Sequence, residues 1–295
     1  DDKMSKKSNK YAGDPPKQEL VGANPYLGLG RPIDLYDGVT RIAMLCTILS
    51  AVAVTIWKTM AGVGSYDAAM AGIGTALGFL FSFMIAQELD PDRKLGGIVG
   101  GGLTIIASLV LGEGNILVML WLLFVLRMLN RTSGDRHRIV DNLIIIGSAV
   151  WLGTDGAWLY PLMTGAIYAV ESQITGGYFR SLYLAGVAMA GAAVANYESA
   201  APVLSVIYVY IMSFTFIIFL PEIRAAAFTQ FKADKSGKRI SPRRLQVAQG
   251  MFLFIGFFLP YFHGDAQALA LLPAFMAAIG CGCYLFVDLL QKKIG

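Results

Sequence analysis

Ten apolar stretches separated by short polar breaks fill the chain from residue 40 to residue 290. They lie near 40–61, 67–87, 96–112, 115–130, 140–154, 157–172, 180–196, 201–220, 246–263 and 266–290. A helix needs roughly 20 apolar residues to cross a hydrocarbon core of about 30 Å, so the shorter stretches must recruit flanking residues to span. The basic residues follow the same alternation. If the N-terminus is placed in the cytoplasm, the inner segments are 1–41, 88–95, 127–141, 171–180, 221–245 and 290–295. Together they hold 23 of the 24 Lys and Arg residues, and Lys58 is the exception. The outer turns carry single acids instead: Asp67, Glu113, Asp155, Glu198 and Asp265. A wrong span count would scramble this pattern, so the positive-inside rule predicts an even number of spans with both termini cytoplasmic.

Composition agrees. Hydrophobic residues make up 56% of the 295 and charged residues 15%, against about 25% charged in a soluble domain. This excludes a soluble enzyme, a disordered chain and a disulfide scaffold. The expected fold is all-α: a polytopic membrane bundle of about ten transmembrane helices. Asp1-Asp2-Lys3 ahead of Met4 reads as the end of an acidic epitope tag. Residues 4–39, with Lys6, Lys7, Lys10, Lys17, Pro15 and Pro16, read as a polar tail that tightens near Asn24-Pro25 and Arg31-Pro32. Residues 40–295 form a single transmembrane domain. Cys281 and Cys283 point to different sides of a helix and read as small buried side chains. With only His137 and His263 in the chain, a paired-histidine haem site is not expected. Glycine spacings such as Gly96-xxx-Gly100 predict close helix packing in lipid.

Polar residues gather in the inner segments. After the second span comes Gln87-Glu88-Leu89-Asp90-Pro91-Asp92-Arg93-Lys94. Pro91 ends the helix and pushes the residue before it toward an extended shape, which would let Glu88, Asp90 and Asp92 converge on one Mg²⁺ shared with a substrate diphosphate. Alternatively, the segment is a charged helix stop whose Arg93 and Lys94 set the orientation. The next inner segment carries Arg127, Asn130, Arg131, Arg136 and Arg138, with Asp141 and Asn142 at the start of the fifth span. Arginine forks match phosphate oxygens in pairs, so this is a candidate anion clamp. Alternatively, it is a loop set against anionic headgroups. Glu171, after the sixth span, would complete an acidic ring. The loop 221–245 carries seven basic residues; its stretch from Lys232 to Arg239 reads as mobile and solvated, attached to anionic lipid at the cytoplasmic face rather than to nucleic acid.

A length of about 290 residues, an N-in bundle and Asp90 with Asp92 after the second span together resemble the UbiA family of membrane prenyltransferases. The resemblance implies a prenyl diphosphate held through Mg²⁺ by Asp-rich loops after the second and sixth helices. Asp90 and Asp92 stand where the first would be, without its NDxxDxxxD spacing, and Glu171 stands where the second carries DxxxD. The family has nine helices, and ten are predicted here. In topology alone, the chain is also similar to ten-helix drug/metabolite transporters.

Three functions follow as alternatives. The first is an enzyme acting on a lipid-linked phosphate or diphosphate. In it Asp90, Asp92 and Asp141 do the chemistry, Glu88, Asp90 and Asp92 hold Mg²⁺, and the arginines neutralise phosphate. The second is a transporter of a small metabolite, with Lys58, Gln87, Asn142, Asp155, Gln249 and Asp288 as the few polar groups at depth. The third is a non-catalytic membrane subunit, which a tightly packed bundle without a polar cavity would favour.

Overall fold

The computed structural model of the chain describes residue 24 and residues 26–197 and 202–294. The basic residues of the N-terminal tail up to Lys17, residues 1–3 with the expected tag sequence, and Glu198 lie outside these.

Each predicted apolar stretch is a helix: α1 Gly38–Met60, α2 Ser65–Leu89, α3 Leu95–Leu111, α4 Ile116–Asn130, α5 Ile139–Thr154, α6 Leu159–Gln173, α7 Ser181–Ala190, α8 Val206–Ala225, α9 Pro242–His263, and the pair α10 Asp265–Ala270 and α11 Leu272–Ile294. A 3-10 turn, Gly191–Val194, extends α7. Among the described residues no strand forms, and the nearest approach is an isolated antiparallel bridge between Lys232 and Arg239. Five helices are long and apolar enough to cross a membrane: Gly38–Met60, Ser65–Leu89, Val206–Phe228, Pro242–His263 and Leu272–Lys292.

Local chemistry sets the helix ends. Asp37 caps α1 by accepting from the Thr40 amide at 3.0 Å, and Asn115 caps α4 by accepting from the Leu117 amide at 2.9 Å. Asp90 is extended (φ −138°, ψ 83°) as a residue before proline must be, and α2 stops there. Gly156, at φ +94°, makes a tight turn between α5 and α6.

Helix α4 is the centre of the bundle. Its side chains from Trp121 to Asn130 are all buried, which fits a helix apolar on every side. At 15 residues it is about 22 Å long, and its C-terminal end is buried among its neighbours while Ile116 at its start is exposed. Helices α1 and α8 are peripheral and leave most of their apolar surface exposed. Where α3 meets α11 the backbones nearly touch: a Cβ on Gly280 would lie 2.4 Å from the Gly100 nitrogen and 2.5 Å from the Gly96 oxygen. The glycine spacing of α3 therefore serves helix packing, since any side chain at Gly280 would push α11 away.

One expectation is corrected here. The segment 229–241 is not a free, solvated loop. It folds back on itself, with Ile240 N donating to Phe231 O at 3.0 Å and Ala233 N to Lys238 O at 2.8 Å. Ala233, Ile240, Ala226 and Leu245 form a small core of their own. The segment then docks on the α4–α5 connection, where Asp234 N donates to Thr132 O at 3.1 Å and Lys235 N to Ser133 O at 3.0 Å. Its lysines gave it the composition of a solvated loop, but these backbone bonds hold it in place.

Candidate functional site

The inner segments named from the sequence meet at one end of the bundle and form three interlocked ion-pair clusters. At the opposite end, short turns are tied by neutral or single-acid bonds. Ser205 N donates to Asp265 Oδ1 at 2.6 Å, and Tyr160 donates its hydroxyl to Gln267 Oε1 at 2.6 Å.

The first cluster surrounds Glu88 in the last turn of α2. The side chain is fully buried. Oε1 accepts from Arg31 Nη1 at 2.8 Å and Arg127 Nε at 3.0 Å. Oε2 accepts from Asn130 Nδ2 at 3.1 Å and from the Thr132 hydroxyl. A carboxylate offers about four lone-pair directions, and four donors from the chain take them. Arg31 continues outward to Asp234 at 2.5 Å. Burial works against the charge on Arg31, but Glu88 and Asp234 more than offset it and hold the guanidinium above its ordinary pKa.

The second cluster has more acids than bases. Arg93 Nη1 reaches Asp90 at 2.8 Å and Glu222 at 3.2 Å, and its Nε reaches Asp288 at 3.3 Å. Lys292 also pairs with Asp288, at 2.9 Å. Glu222 Oε1 is buried and has no hydrogen-bond partner among the described residues. Burial pushes the Asp90 carboxyl above the ordinary aspartate range. Arg93 opposes that shift and Asp92 adds to it. A group with a raised folded pKa takes up its proton more readily folded than unfolded. Stability is therefore lost as pH rises from the unfolded aspartate value through the folded one. Asp90→Asn is expected to remove this loss. Its thermal midpoint should equal or exceed that of the wild type near neutral pH and should fall less between acidic and neutral pH, as a pH series of melts in detergent would measure.

The third cluster centres on Glu171 near the end of α6. Arg131 Nη2 donates at 2.8 Å, Arg244 Nη2 at 3.3 Å, the Ser181 hydroxyl at 2.6 Å and the Tyr178 amide at 3.3 Å. His137 shares Ser181, with Nε2 2.9 Å from its Oγ. Arg244 also donates to the carbonyls of Leu129 at 2.8 Å, Met128 at 3.1 Å and Thr175 at 3.3 Å. Two of these belong to the last turn of α4, so Arg244 acts as a side-chain cap on a buried helix end.

The remaining candidates fall outside these clusters. Asp141 is buried and accepts from the amides of Gly28 at 2.7 Å, Leu29 at 3.2 Å and Arg138 at 2.7 Å. It caps the start of α5 and clasps the segment before α1. Gly28 is needed there, because a Cβ would lie 1.8 Å from the Arg136 oxygen. Asp92 is exposed and accepts from the Gln230 amide at 3.1 Å. Arg138 pairs with Asp135 at 2.8 Å, and Arg136 lies over the Tyr178 ring at 5.4 Å. Glu88, Asp90 and Asp92 therefore have three separate sets of partners. Among the described residues, no three His, Cys, Asp or Glu side chains are grouped to hold a metal ion. Of the polar groups expected at depth, Asn142 Oδ1 accepts from the Tyr168 hydroxyl at 2.8 Å, and Gln249 Nε2 donates to Leu89 O at 2.7 Å.

Sequence reasoning did not single out Arg31, Arg244, Glu222 or Asp234 as site residues. A signal for Arg244 was present: Ser241-Pro242 is a helix start, with proline at the first helical position, so Arg244 belongs on a helix rather than in the loop before it. No family model matches the chain, and no curated protein or solved structure matches it.

Proposed function

We propose that this chain is a ten-span integral membrane protein with both termini on the cytoplasmic side, and that it serves as a non-catalytic membrane subunit. Support for the layout comes from two independent directions. The ten apolar stretches coincide with helices, and the basic connections bond to one another at one end of the bundle. The positive-inside rule then makes that end cytoplasmic.

The role rests mainly on one observation: most of the buried acids at this end are already satisfied by donors of the chain, with one Glu222 oxygen and the Arg180 guanidinium left over among the described residues. Glu88, Asp141 and Glu171 are engaged by donors of the chain itself, and Asp90 shares Arg93 with two further acids. An assembly saturated in this way holds segments together and has no reason to reorganise around a substrate. The prenyltransferase-like alternative would need Glu88, Asp90 and Asp92 released from three separate sets of partners to share Mg²⁺.

The two readings separate in lipid nanodiscs, with Mn²⁺ as a paramagnetic probe and a prenyl diphosphate added. The subunit reading expects Mn²⁺ to stay free and the diphosphate to stay intact. Mn²⁺ bound only with the diphosphate, and lost in Asp90→Asn and Asp92→Asn at unchanged thermal midpoint, would replace it with the enzyme reading.

A further inference from the structure

A groove runs down the outside of the bundle between α5 and α7. It consists of two hollows that share Ile139, Asn142 and Leu184 and so form one continuous channel. The upper hollow, about 570 Å³, lies at the polar end, and His137, Arg138, Tyr178, Arg180 and Tyr183 complete its wall. The lower hollow, about 760 Å³, is apolar and follows α5 past Leu143, Ile146, Gly147, Val150 and Trp151. The groove is open at Gly147, where a Cβ would meet nothing within 4 Å. Leu143 and Trp151 are 67% and 68% exposed along it, which only a hydrocarbon neighbour makes favourable.

The polar end carries excess positive charge. Arg136, Arg138 and Arg180 stand there against two near acids, Asp135, which binds the Arg138 side chain, and Asp141, which accepts from the Arg138 amide. Arg180 has no ion-pair partner among the described residues and lies 5.8 Å from the Tyr178 ring, which Arg136 also approaches. An independent observation points to the same place. His137 is 7% exposed, it lines the upper hollow, and its Nδ1 is buried without a hydrogen-bond partner. A buried polar atom left unpaired is costly unless something else supplies the bond.

We propose that this groove holds one anionic glycerophospholipid of the inner leaflet. Its phosphate sits at Arg138 and Arg180, with His137 and Asn142 as hydrogen-bonding neighbours, and an acyl chain lies along α5 from Leu143 to Trp151. Guanidinium forks suit phosphate oxygens, and the apolar lower hollow suits a chain that must stay in hydrocarbon. The site does not depend on the subunit reading above, since a lipid of this kind can sit on an enzyme, a transporter or a scaffold alike.

The test uses the full chain in nanodiscs of phosphatidylcholine doped with phosphatidylglycerol, followed by native mass spectrometry of the retained lipid. The wild type is expected to keep one phosphatidylglycerol in preference to phosphatidylcholine. Arg138→Gln with Arg180→Gln is expected to lower that retention at least tenfold. Gly147→Phe fills the lower hollow without touching a charge. Because its Cβ meets nothing, it should fold as the wild type does and still lose the lipid. Equal retention of the two lipids, unchanged retention in the arginine double variant, or unchanged retention in a folded Gly147→Phe protein would each overturn the proposal. So would equal thermal stabilisation by glycerol phosphate, which carries the headgroup chemistry without a tail.

Discussion

Replacing Glu88 with Ala is expected to cost about 3–5 kcal/mol of stability, the range for removing one partner of a buried ion pair. The loss comes less from the missing bonds than from what they leave behind. Arg127 would stay buried without its carboxylate, and Asn130 and Thr132 would lose an acceptor. Arg31 would keep Asp234 and suffer less. The size of the effect therefore depends on Arg127, which gives a sign test. Glu88→Met combined with Arg127→Met should be less destabilising than Glu88→Met alone, because it removes the stranded charge. Thermal melts in detergent read both, with Asp92→Asn as a control expected within about 0.5 kcal/mol of wild type because its side chain is exposed. A double variant worse than the single would show that Arg127 has another partner of consequence.

The second large effect is expected at Arg244. Arg244→Ala should destabilise by about 2–4 kcal/mol, since it leaves the carbonyls of Met128 and Leu129 unsatisfied inside the protein, while Glu171 loses one donor and keeps Arg131, Ser181 and the Tyr178 amide. Arg244→Lys should recover little of this. One ammonium cannot reproduce the planar fork that reaches Leu129, Met128, Thr175 and Glu171 together. Arg243, next in sequence and exposed, provides the comparison: Arg243→Ala should stay within about 0.5 kcal/mol of wild type. If Arg243→Ala and Arg244→Ala melt together, then Arg244 does not cap α4.

These two residues also mark what the sequence could and could not tell. Helix positions were legible because span length and the alternation of basic connections are one-dimensional properties. The α5–α6 break was less legible: Gly153-Thr154-Asp155-Gly156 fitted either a tight turn or a break inside one longer element, and the structure makes it a turn with Gly156 at positive φ. That the acids and arginines lie at one end was legible for the same reason. Which acid binds which arginine was not, because the pairs join residues as far apart as Arg31 and Asp234, or Glu171 and Arg244. Asp90 and Asp92 illustrate the limit. Their spacing across Pro91 suggested convergence, but Arg93 draws Asp90 inward while Asp92 turns to the Gln230 amide. In loop 229–241, lysine, serine and glycine pointed to solvation, and the backbone bonds to Thr132 and Ser133 are invisible to composition.

The arginine on α9 has a consequence for how the chain is made. Glu171 and the end of α4 emerge from the ribosome well before it, since Glu171 and Arg244 are 73 residues apart. At about 5–20 residues per second, that interval lasts roughly 4–15 seconds. During this time Glu171 has Arg131, Ser181 and the Tyr178 amide as donors, but the Met128 and Leu129 carbonyls must stay hydrated or be shielded by the insertion machinery. The arrival of α9 is then the step that caps the buried end of α4.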